Sequence, residues 1–139
     1  MPIHKAKGYE TSNVEIAACA APRPLLLISD GKDWTKNTAQ VEYPYIRNVY
    51  GLFDAADNVE CLHLAKEGHD YGWSKRVGAY KFLSKHLGLC LANVIDDSGS
   101  INENFVVIEL KASLYVFDEN HPRPSYAVDP GTTELPWSW

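Results

Sequence analysis

The chain has three cysteines in 139 residues, Cys19, Cys61 and Cys90, and no two of them stand in C-x-x-C spacing. An odd, scattered set of thiols excludes a disulfide framework and a thiolate zinc site. No apolar run reaches the roughly eighteen residues that a membrane helix needs, and the start lacks the charged-then-apolar pattern of a signal peptide. As written, the chain is expected to stay in the cytoplasm and off membranes. Surplus positive charge is missing too: the net charge is −5, and the only basic clusters are Lys5/Lys7 and Lys75/Arg76. That balance excludes a nucleic-acid surface, which needs a basic stripe. No internal repeat is found and no cofactor is expected.

What is present is organised around Ala21-Pro22-Arg23-Pro24-Leu25-Leu26-Leu27-Ile28-Ser29-Asp30-Gly31-Lys32-Asp33-Trp34. Two prolines close its front, and four aliphatics without polar alternation suit a strand covered on both faces, as in a parallel sheet. Gly31 permits a sharp exit, leaving Asp30 and Asp33 just past the strand's C-terminal end, where open α/β sheets place their ligands. A second unit follows: Val59-Glu60-Cys61-Leu62-His63-Leu64-Ala65, then the polar loop Lys66-Glu67-Gly68-His69-Asp70-Tyr71-Gly72. Between them, Val41 to Ala56 carries Tyr45, Ile46, Val49, Tyr50, Leu52 and Phe53 at helical spacing, with Pro44 tolerable near the first turn. Strand, helix, strand implies a parallel crossover, so both loops leave the same sheet edge and Asp33 is expected within hydrogen-bond reach of His69.

Residues 14 to 90 resemble the C-terminal portion of α/β-hydrolases, in particular the acetyl-xylan-esterase-like and dienelactone-hydrolase-like branch, on "APRPLLLISDGKDW" and "EGHDYG". The resemblance implies a partial α/β-hydrolase fold, its last parallel strands and covering helices, with Asp33 as the acid and His69 as the base of a Ser-His-Asp triad. The acid-before-histidine order agrees with that fold. It also implies a carboxylic ester hydrolase acting on a small ester or acetylated carbohydrate, and full-length relatives that are often exported. The departure is the nucleophile: no G-x-S-x-G elbow occurs in the chain, so weak or no turnover is expected of it alone. Ser29, Ser74 and Cys61 remain as unconventional nucleophiles, although Cys61 inside a strand reads better as a small buried hydrophobe. The rival class is a non-catalytic, self-associating module derived from an esterase.

Asp30 competes with Asp33 for the acid role, and the G-x-D placement favours Asp33. Trp34 either lines a substrate pocket or caps the sheet edge. His63 and His69 as metal ligands would need a shared face that a strand-to-loop spacing does not fix. His4, His86 and His121 read as surface residues. Residues 1–13 read as a frayed arm, with Ser12 or Asn13 capping a short helix from Val14 to Cys19. Val77, Tyr80, Leu83 and Leu87 predict a helix from Ser74 to Leu87 that Gly88 ends. After an Asp-Asp-Ser-Gly turn, Ser100 to Glu103 matches a capping box, and Ile101, Phe105, Ile108, Ala112 and Tyr115 predict a helix over 101–117, with a strand through Phe105–Ile108 as the alternative. The Pro/Trp-rich remainder of 91–139 is expected to be extended and to pack on the same domain. Two strands leave raw edges, so a homo-oligomer is expected.

Overall fold

The aliphatic run forms β3 (Leu25–Asp30), which pairs in parallel with β4 (Val59–Leu64), in a register running from Leu25 opposite Val59 to Asp30 opposite Leu64. This computed structural model describes residues 3–6, 8–128 and 131. It divides into two compact units, Met1–Asn102 and Glu103–Trp139.

In the first unit, the expected frayed arm is instead a hairpin. Strands β1 (Ile3–Ala6) and β2 (Tyr9–Ser12) pair antiparallel, and Gly8 takes the left-handed φ of +92° at the turn. Local polar composition hid the hairpin, because a ladder between two short polar strands shows no apolar period. Helix α1 (Asn13–Ala18) starts from a capping box: Ser12 Oγ accepts from Glu15 N–H at 3.4 Å, and Glu15 Oε2 accepts from Ser12 N–H at 2.8 Å. A π-helical turn (Thr38–Glu42) leads into α2 (Tyr43–Gly51), where Pro44 sits in the first turn and needs no donor.

Strand alternation decides what each face meets. Val59, Leu25 and Leu27 face α1 and α2, and their core is Ala18, Ile46, Tyr50 and Val59. Burying an aliphatic such as Ile46 contributes about 1.5–3 kcal/mol. Tyr50 is fully buried, and its hydroxyl donates to the Arg23 carbonyl at 2.7 Å, so its polar end is satisfied. Leu62 and Glu60 face α3 (Trp73–Leu87). Gly78 allows that approach, since a Cβ there would strike Leu62 Cδ2, and Lys85 Nζ reaches Glu60 Oε1 at 2.6 Å. Gly88 ends α3 at φ +65°. Helices cover both faces of the pair, α1 and α2 on one and α3 on the other, yet the aliphatics of β3 stay half-buried, because among the described residues the sheet has two strands and each has an outer edge without a ladder. His86 departs from its surface reading: it is half-buried against Phe82, ring centroids 4.4 Å apart, with Nε2 3.6 Å from Glu60. His121 pairs with Asp118 at 3.1 Å, and the side chain of His4 lies outside the described residues.

The predicted helix over 101–117 is not formed. Ile101 is buried in an isolated bridge to Ile95, and the described residues of the second unit hold one 3₁₀ turn, Lys111–Leu114, in otherwise irregular chain. The strand alternative fails as well, since Phe105–Ile108 has no ladder partner among the described residues. Three successive β-branched residues, Val106, Val107 and Ile108, oppose a helix, and all three stay exposed, so no burial of an apolar stripe offsets that opposition. The extended reading of the tail falls, over 129–130 and 132–139, outside the described residues, Trp137 and Trp139 included. Among the described residues no helix is long and apolar enough to cross a membrane.

Candidate active site

The ladder between β3 and β4 runs one step past the strands: Gly31 N–H donates to the Leu64 carbonyl at 3.0 Å, and Lys32 N–H to the Glu67 carbonyl at 2.9 Å. Both loops are thereby held side by side at one edge. Gly31 is required for steric reasons, because a Cβ there would collide with the backbone of Ala65.

Asp33 stands on the first loop with its side chain buried, and its two oxygens have separate tasks. Oδ1 accepts from the N–H and from the hydroxyl of Thr35, both at 2.6 Å, while Oδ2 faces His69 Nδ1 at 3.3 Å. The Thr35 hydroxyl in turn accepts from Asp30 N–H at 2.8 Å. The Thr35 hydroxyl, together with its N–H and His69, holds the Asp33 carboxyl below its ordinary value against the opposing effect of burial. His69 has a 65% exposed side chain and stacks at a tilt against Trp34, ring centroids 4.1 Å apart. With Nδ1 donating to Asp33, the other nitrogen is left as the basic one, which is the arrangement by which a carboxylate fixes a histidine's tautomer.

Of the two acids, the structure brings Asp33 and not Asp30 to His69. Asp30 is buried on the α3 side, 3.1 Å from the Nζ of Lys75. Each unconventional nucleophile is engaged elsewhere. Ser29 is buried, its Oγ 2.8 Å from His63 Nδ1; Ser74 donates to Glu67 Oε2 at 2.6 Å. Burial pushes the Cys61 thiol above its usual value, partly countered by the Ser29 hydroxyl, which disfavours the reactive thiolate. His63 is committed to Ser29 rather than turned toward His69, and among the described residues no group of three or more His, Cys, Asp or Glu could hold a metal ion.

Two contributors went unseen in the sequence. Thr35 had a legible signal in Asp33-Trp34-Thr35, since an Asp two residues before a Thr closes an Asx turn. Lys75 had none: in sequence it is one half of a basic pair at a helix start, yet its side chain is 1% exposed and meets Gly68 O at 2.7 Å and Asp70 Oδ1 at 2.5 Å. Trp34 and Thr35 also line a cleft of about 420 Å³, with Val14, Leu27, Ile28 and Glu42. The cleft lies between β3, α1 and the turn that leads into α2.

No family model matches the chain, and no curated protein does. Among solved structures, the chain is similar to one of methylesterase BT1017, with a TM-score of 0.66 and 41% identity over 80% of this chain. The chain spans 23% of that protein's length. The likeness is to an esterase, and it accords with a partial α/β fold built on a parallel strand pair.

Proposed function

We propose that this chain is the acid-and-histidine portion of a carboxylic ester hydrolase of the acetyl-esterase type, with His69 as general base and Asp33 as the group that orients it. The observation that carries the reading is the 3.3 Å approach of Asp33 Oδ2 to His69 Nδ1, on two loops that leave one sheet edge. Its support is the likeness to a methylesterase, with the acid preceding the histidine in the chain. Small esters are the substrate class, including methyl esters and acetylated carbohydrates. In such a site the histidine takes the proton of a serine or water, and the carboxylate stabilises the imidazolium that results. The described residues offer no hydroxyl or thiol to His69, and each missing oxyanion donor withholds about 3 kcal/mol. The nucleophile is therefore proposed to come from the larger part of the hydrolase that this chain does not match.

The test is hydrolysis of chromogenic acetyl and methyl esters by the chain alone and with the unmatched portion of the methylesterase added. Expected are weak or no turnover alone, turnover on addition, and loss of both with His69→Ala. Rapid turnover that survives His69→Ala would place the chemistry elsewhere.

The second reading, a non-catalytic module that self-associates, is favoured by one observation: among the described residues β3 and β4 each leave an outer edge unpaired. Such edges template pairing with another chain, most simply as a two-fold homodimer. Light scattering separates the readings, because a dimer inert in both ester assays would support the module.

A further inference from the structure

The side chain that this site does not account for is Lys75, a buried ammonium surrounded by oxygens. It lies in the first turn of α3 and reaches Asp30 Oδ1 at 3.1 Å, Gly68 O at 2.7 Å, Asp70 Oδ1 at 2.5 Å and Glu67 Oε2 at 3.8 Å. Gly68 and Asp70 are the two neighbours of His69, so one cation grips the histidine's loop on both sides. Asp30 leads to the other half of the site: its N–H bonds the Thr35 hydroxyl, which bonds Asp33 Oδ1, while Asp33 Oδ2 faces His69. The contacts run from Lys75 through Asp30, Thr35 and Asp33 to His69, and the backbone on either side of His69 returns to Lys75 through Gly68 and Asp70. Asp30 Oδ1 has no hydrogen bond of its own among the described residues, so Lys75 supplies its compensation as charge.

We infer that Lys75 is a positioning residue, which holds His69 on Asp33 by clamping Gly68 and Asp70 from beneath; this rests on reading His69 as the base of the site. A lysine kept only to neutralise Asp30 would have no need of the Gly68 carbonyl or of Asp70, whose side chain is 65% exposed. Burial works against the charge on Lys75, yet the Asp70 and Asp30 carboxylates outweigh burial and hold the ammonium above the usual lysine range. The clamp therefore stays charged wherever the carboxylates are ionised.

The test uses the whole chain, with NMR of the His69 ring nitrogens and amide exchange over residues 67–72. Neutral His69 should keep its proton on Nδ1, as one tautomer. Lys75→Met combined with Asp30→Asn removes both buried charges together, so the core is not left with an unpaired ion. Expected are a mixture of tautomers and loop exchange faster by about tenfold or more, with the signals of Tyr50 and Ile46 unchanged. Should that pair of changes prevent folding, Asp70→Asn decides: it removes one exposed arm and should speed loop exchange by about threefold. A folded variant of either kind with the His69 tautomer and loop exchange of the unsubstituted chain would overturn the inference. Failure of the esterase reading would look different, as an ordered, single-tautomer His69 that never supports ester hydrolysis.

Discussion

Gly31→Ala is the change in which the fold and the site fail together. Glycine's φ there is not left-handed, so alanine fits the backbone conformation and would by itself stabilise by about 0.4–1 kcal/mol through the unfolded chain. The added Cβ, however, falls inside the van der Waals envelope of the Ala65 backbone, only 2.7 Å from its Cα, where no side-chain rotation relieves it. The strand ends must part by about 1 Å to restore ordinary contact, and two bonds stretch with them, Gly31 N–H to Leu64 O and Lys32 N–H to Glu67 O. At about 1 kcal/mol net for each bond and about 1–2 for residual overpacking, less the unfolded-state gain, the variant should lose about 2–3 kcal/mol. Urea unfolding followed by tyrosine and tryptophan fluorescence should show the midpoint falling by about 1–2 M. His69 should at the same time lose its single tautomer, because the ladder step that sets the loops side by side has opened. A variant as stable as the unsubstituted chain, or more so, would refute the close approach of β3 to Ala65 and with it the account of how the loops are aligned.

Tyr50→Phe removes the hydroxyl by which a fully buried side chain donates to the Arg23 carbonyl, and should cost about 1–3 kcal/mol in the same assay. Ser12→Ala breaks the capping box and should lower stability by about 0.5–2 kcal/mol with α1 fraying first in amide exchange. The pH dependence has a definite sign. Hydrogen bonds depress the folded-state values of Asp33 and Asp70 below 3.8, so their stabilisation of the loops is complete above the ordinary carboxylate range and is lost as pH falls through the depressed values. Lys75 is raised above 10.5, so its share is complete below that value and is lost as pH rises through the raised one. Carboxyl and side-chain NMR titrations check both limbs, and a loop that melted near pH 6, where none of these three groups titrates, would contradict them.

The sequence made β3, β4, α2 and α3 legible because each carries a signal that its own packing reproduces. The aliphatic run pairs with the second run, Ile46 and Tyr50 recur four apart and both are buried, and Gly88 stops α3 in a left-handed turn. Asp33 and His69 were legible as neighbours from topology alone, since a parallel crossover puts both strand ends at one edge. What escaped was non-local or weakly patterned. The β1–β2 hairpin pairs polar residues such as Lys5 with Glu10, so nothing in its composition alternates. Lys75 becomes buried only because α3 returns across the ends of both strands, and no period in the chain reports that. The stripe over 101–117 misled for a related reason. Its spacing suited a helix, but spacing stabilises a helix only when the stripe is buried, and Ile108 is 91% exposed.

On the proposed reading, the parts of an ester-hydrolysing site differ in where each gets its geometry. Orientation of a histidine by a carboxylate requires only two adjacent loops, and here one parallel strand pair and one glycine bring the two side by side, with a buried lysine in contact with the histidine's neighbours. A nucleophile and its oxyanion donors must instead sit about 3 Å from where the reacting carbonyl lies, on the open side of His69, and so must come from other elements. The cleft between β3, α1 and α2 takes in Trp34 and Thr35, on the same loop as Asp33, and Trp34 stacks on the exposed imidazole, so an element that filled the cleft would lie close to His69. Were His69 to act as the proposed general base, its assistance alone would be worth about a hundred- to ten-thousand-fold, and the remaining barrier would fall only if the added element also brought donors for the developing oxyanion.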